Sequence, residues 1–178
     1  MAYSWFILLL AIAITACLLL LTYGTSLGQA VHDRIPDRPQ RRLFVASVSF
    51  FLTFAGVRAV VFAVLHHIPP FHFIEHDGRH IHHLVFGIII LLAVGYGWLA
   101  DFGTGEDDTS LLLSRLMSIL YGVGAALTLD EFALWLNLKD VYWSPEGRSS
   151  IDAVILFGAL LSATTWGFPM LKSRRKRS

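Results

Sequence analysis

Five stretches of almost unbroken apolar residues, about 5–23, 43–65, 81–100, 116–138 and 151–171, set the pattern of this chain, and charged residues gather in the short segments between them. A hydrocarbon core roughly 30 Å thick takes about 20 apolar residues as a helix, so each stretch has the length to cross a bilayer. Backbone groups in lipid must be satisfied within the span itself, which selects helices. The expected fold is all-α: a polytopic integral membrane bundle of five transmembrane helices, one domain over residues 1–178.

The first stretch has no Lys or Arg before it and lacks the basic leader of a signal peptide, so it reads as an uncleaved anchor. The fifth is entered through Ser149 and Ser150, suited to N-caps, with Asp152 in the first turn where the helix dipole favours an anion. Composition strengthens the membrane reading: 55% of residues are apolar and 15% charged, which leaves no soluble domain in the remainder. The single cysteine, Cys17, lies inside an apolar run and excludes an internal disulfide.

Charge fixes a direction. With the termini on opposite sides, one face receives ten basic residues: Arg34, Arg38, Arg41, Arg42, Arg115 and five in the tail after Leu171. The other receives three, Arg79, Lys139 and Arg148. The excess marks the cytoplasmic side, so the N-terminus lies outside and the C-terminus inside, as in a bacterial cytoplasmic (inner) membrane. The basic tail is a topology anchor and not a nucleic-acid site.

The polar residues that fall within the apolar stretches are the candidate chemistry. Arg58 interrupts the second span and the adjacent acids Asp130 and Glu131 interrupt the fourth, both roughly 10–12 Å from the outer end at 1.5 Å per residue. Charges at that depth need partners, so Arg58 is expected to pair with one acid. Asp152 is a further member of the ion-pair set. Two roles are open: the pair locks helix packing, or one acid is neutralised while the other faces a cavity as a metal ligand, catalytic group or proton carrier.

Seven of the eight histidines lie between residues 66 and 83. A helix starting near His76 would carry His76, His80, His83 and Gly87 along one face, with His82 pointing elsewhere. Imidazoles one turn apart can share a metal, and zinc or iron suits His76, His80 and His83 with Glu131 or Asp130 as the oxygen ligand. His66 and His67 read as caps on the second span. In the loop after the fourth span, Tyr142 and Trp143 suit an aromatic belt, and Lys139 with Arg148 suits a lipid phosphate. Histidine clusters also occur in membrane hydroxylases and in zinc hydrolases of the ceramidase type, but those have more spans or more His boxes, and no residue is carried across.

The leading expectation is a small membrane metalloprotein with a His/carboxylate site near the outer leaflet, acting, if it is an enzyme, as a metal-dependent hydrolase or oxidase on lipid. Asp130 and Glu131 would be its catalytic acids. Two other readings stand beside it. One is a non-enzymatic subunit or assembly partner, in which the Arg58 pair fixes packing and Gly122, Gly124, Ala125 and Ala126 permit close helix contact or oligomerisation. The other is a proton- or ion-coupled transporter. The expected partners are membrane lipids, a second copy or another membrane protein.

Overall fold

The computed structural model describes residues 2–69, 82–138 and 148–175, with side chains over 5–69, 82–138 and 149–164. All regular structure among them is helical: α1 (Ala2–Gly24), α2 (Ser26–Arg34), α3 (Arg38–Leu65), α4 (His83–Leu99), α5 (Asp108–Asp130), α6 (Phe132–Asn137) and α7 (Arg148–Arg175). Trp5–Gly24, Arg38–Leu65 and Asp108–Asp130 are long and apolar enough to cross a membrane, while His83–Leu99 and Ser149–Thr164 are apolar but shorter.

Two helices begin well before their apolar patterns do. Helix α3 starts at Arg38, where Pro39 fits the first turn because its missing N–H would have no partner there. Helix α5 starts at Asp108 with the Asp107 carboxylate accepting from the Ser110 amide at 3.0 Å. Apolar periodicity marks the buried and lipid-like part of a helix, whereas caps mark its ends. The expected fourth span, 116–138, is a larger departure: α5 stops at Asp130, Glu131 leaves helical geometry (φ −105, ψ 24), and the chain restarts as the short α6.

Helix α5 is central and packs against α1, α3, α4, α6 and α7. Small residues let its neighbours come that close. A Cβ on Gly122 would run into Ser49 Oγ and the Ala46 carbonyl of α3, and one on Gly87 of α4 would meet the Gly124 carbonyl of α5 at 2.8 Å. The Ser49 hydroxyl, fully buried at this crossing, donates within reach of the Ala46 and Ile119 carbonyls at 3.0 and 3.1 Å. Around it pack Ile7, Val57, Ile119, Val123 and Leu127 on one side and Phe50, Ala126 and Val154 on the other.

Much of the exposed helix surface is apolar: Leu20, Leu92 and Leu156 are 72, 68 and 71% exposed, and Ser49, Thr53 and Asp130 are fully buried within an otherwise apolar core. Exposed leucines beside buried polar groups are what an apolar solvent permits.

The contacts also sort the bundle into two ends. One end gathers the close of α1, the start of α3, the loop after α4 and the start of α5, where Arg38 bonds Thr104 and Arg115 sits over Tyr23. The other gathers Arg58 of α3, the start of α4, the close of α5 and the start of α7.

Candidate functional site

At this second end, α4 presents the N–H groups that no helix satisfies internally. His82 is its N-cap, with extended backbone (φ −69, ψ 141), and makes no side-chain cap to its own helix. The acceptor comes instead from the break after α5: Glu131 Oε2 accepts from the Leu84 amide at 3.0 Å. A carboxylate in that place is also favoured by the helix dipole. The other Glu131 oxygen, Oε1, lies 2.8 Å from His82 Nδ1 and 3.6 Å from His83 Nδ1.

Asp130, the last residue of α5, is fully buried between two cationic or potentially cationic groups. Its Oδ1 lies 2.6 Å from Arg58 Nε and its Oδ2 lies 3.1 Å from His83 Nε2. The Arg58 guanidinium also stands over the Phe54 ring, 5.2 Å from its centre. All four oxygens of the two acids thus face an N–H or cationic group, and the His83 ring, 1% exposed, hydrogen-bonds Asp130 through Nε2 while its Nδ1 stands 3.6 Å from Glu131, beyond hydrogen-bond reach.

A last bond closes the break. Ser150 Oγ, in the first turn of α7, accepts from the Ala133 amide of α6 at 2.8 Å. Ser150 therefore caps α6, not the α7 helix in which it sits.

Of the residues expected from sequence, the structure brings together Arg58, His83, Asp130 and Glu131. His82, expected to point away, is in the cluster; the reason is that α4 begins at His83, so the 3.6-residue spacing does not pass through His82. His76 and His80 lie outside the described residues. So do Lys139 and the side chain of Arg148. Asp152 is exposed on α7 and is not among the contacts of the cluster.

His66 and His67 close α3. His67 takes the left-handed conformation (φ 51), the Ile68 and His67 amides bond back to Ala63 and Val64 at 2.9 and 3.2 Å, and the His66 ring bonds the Phe62 carbonyl at 2.9 Å. Among the described residues no group of three or more His, Cys, Asp and Glu side chains is arranged to hold a metal ion. What the cluster can do chemically is hold charge in compensated pairs and move a proton between neighbouring imidazoles and carboxylates.

Fold and site together define a class, a helical membrane-type bundle with a buried histidine–carboxylate cluster. Compared with known proteins, the chain matches no protein-family model, no curated protein and no solved structure.

Proposed function

We propose that this is a proton-coupled membrane protein in which five helices cross the bilayer with the N-terminus outside, and in which the cluster below the outer surface takes up and releases one proton. The observation that carries this reading is the His83 ring, buried between two carboxylates with a nitrogen towards each. Nε2 is hydrogen-bonded to Asp130, and at Nδ1, 3.6 Å from Glu131 and without a hydrogen-bond partner, a neutral ring turns a lone pair towards the carboxylate where an imidazolium would turn an N–H.

Charge counting points the same way. With Arg58 cationic and both acids ionised, two negative charges face one positive charge, and one proton on the imidazole pair makes the set neutral. An uncompensated charge away from water is costly, so charge compensation is what such a set has to provide. His82, its side chain 23% exposed, bonds the same Glu131 oxygen and offers that proton a way to solvent. A helix broken at the acids is also the backbone arrangement on which membrane carriers build ion sites.

The test uses vesicles containing the purified protein and a trapped pH-sensitive dye. Wild type should dissipate an imposed pH gradient faster than protein-free vesicles, and His83→Gln and Asp130→Asn should abolish the difference. Equal rates in wild type and His83→Gln would overturn the reading.

A metal-dependent enzyme acting on lipid is the second reading, favoured by an apolar groove of about 350 Å³ between α4, α5 and α7, lined by Leu91, Trp98, Tyr121, Leu129 and Phe157. It requires His76 and His80 to join His83 and Glu131 around zinc or iron. Elemental analysis separates the two: about one metal per chain, lost in His83→Ala, assigns the cluster to the metal.

A further inference from the structure

The opposite end of the bundle carries a second polar feature that the His–carboxylate cluster does not touch. Arg38, Arg41 and Arg42 lie at i, i+3 and i+4 on the first turns of α3, so their side chains share a face. Arg115 of α5 comes up beside them. The recess between these helices is lined by the four arginines, by Ser114 and Ser118, and by the apolar Val45 and Leu111, with no acid among the lining residues.

The four guanidinium groups are not equivalent. Arg38 is spent on the loop after α4, donating to the carbonyls of Gly103, Thr104 and Gly105 at 2.6, 2.9 and 2.7 Å. Arg42 donates to the Gly103 carbonyl and to Ser114 Oγ, both at 2.7 Å. Gly103 accepts both because its positive φ of 71 turns the carbonyl inward, a conformation that suits glycine. These two arginines are walls. Arg41 makes one bond, to the Ile35 carbonyl at 2.9 Å, and Arg115 has the Tyr23 ring 5.4 Å away. Each therefore keeps donors for a ligand. Partial burial first, and then the like charges of Arg115 and Arg38, disfavour the charged form of Arg41, offset in part by Asp37.

We propose that this recess binds the phosphate of an anionic phospholipid headgroup, clamped between Arg41 and Arg115. Guanidinium groups match phosphate oxygens in paired hydrogen bonds, and like charges held together are relieved by an anion between them. A lipid is the occupant because the site sits where the two long apolar helices α3 and α5 begin, so that a headgroup held there has apolar helix beside it for its acyl chains. Basic pockets between membrane helices on the positively flanked face are suited to such headgroups.

Native mass spectrometry of the full chain, released from vesicles of phosphatidylcholine with a minor share of phosphatidylglycerol, reads the site directly. Wild type should retain phosphatidylglycerol in preference to phosphatidylcholine, and Arg41→Gln/Arg115→Gln should lower that preference about thirty-fold, the factor expected for two such cations. Arg115→Gln alone, which removes no backbone hydrogen bond, should give an intermediate loss and guards against a folding defect in the double variant. Equal retention of both lipids by wild type, or unchanged preference in Arg115→Gln, overturns the proposal. So does saturable binding of inorganic phosphate that displaces no retained lipid, which would assign the recess to a free anion.

Discussion

The two ends of the bundle hold their arginines in opposite ways. At one end Arg58 meets a carboxylate that is fully buried, and each acid oxygen has a donor. At the other, Arg38 and Arg42 bond neutral carbonyls and a hydroxyl, and four cations crowd one recess. Solvent access accounts for the difference. Away from water an ion costs several kcal/mol unless an opposite charge and hydrogen bonds replace its hydration, so the buried end admits charge only in matched sets. At the rim, water does that work and an excess of one sign is tolerated.

The buried set should therefore be the harder to break. Asp130→Ala leaves Arg58 and His83 turned towards a missing anion and should cost about 3–5 kcal/mol, read as a fall in the unfolding midpoint in detergent. Asp130→Asn, which keeps the shape and an acceptor, should cost less. A wild-type midpoint in Asp130→Ala would show that the matched set does not hold the helices.

A smaller effect belongs to the backbone beside that set. Ser150→Ala removes the acceptor of a buried amide, that of Ala133, and should cost about 1–3 kcal/mol, the penalty of an orphaned buried donor. Hydrogen exchange at Ala133 is the specific readout. Faster exchange there with α5 unchanged would locate the loss at α6, and unchanged exchange would refute the cap.

Much of the site could be read in the sequence because residue counting measures depth. Arg58 and Asp130 fall at one level when counted from the ends of their apolar stretches, and only an opposite charge can satisfy either. The positions of the small residues in α5 were equally legible, since Gly122 and Gly124 have no role in lipid except to let a neighbour approach. The break at Glu131 was not legible. Phe132-Ala133-Leu134-Trp135 continues the apolar run, and hydropathy does not distinguish one long helix from two joined at a kink. His82 is misplaced by pattern for the same reason: periodicity extends the helix backwards, while its start is fixed by the Glu131 carboxylate, 47 residues beyond Leu84. Sequence gives the capping Ser150 to its own helix, the nearest one, whereas tertiary structure gives it to α6.

At the rim the corresponding carboxylate behaves as an ordinary N-cap, and its removal should be the mildest change. Hydrogen bonds from the Ser110 hydroxyl and amide hold the Asp107 carboxyl below its usual 3.8, with a lesser pull from Arg38. A carboxyl depressed in the folded state stabilises it fully above the unfolded value and ceases to do so as pH falls through the lower folded value. Asp107→Asn keeps a capping oxygen without the charge. The stability gap between wild type and this variant should stay level from neutral pH down to about 4, then close in more acid solution, and it should shrink with added salt because the group is fully exposed. A gap that persists undiminished in acid would mean that the carboxylate acts at this end through its shape, and that charge there is as dispensable as the open arginine cluster implies.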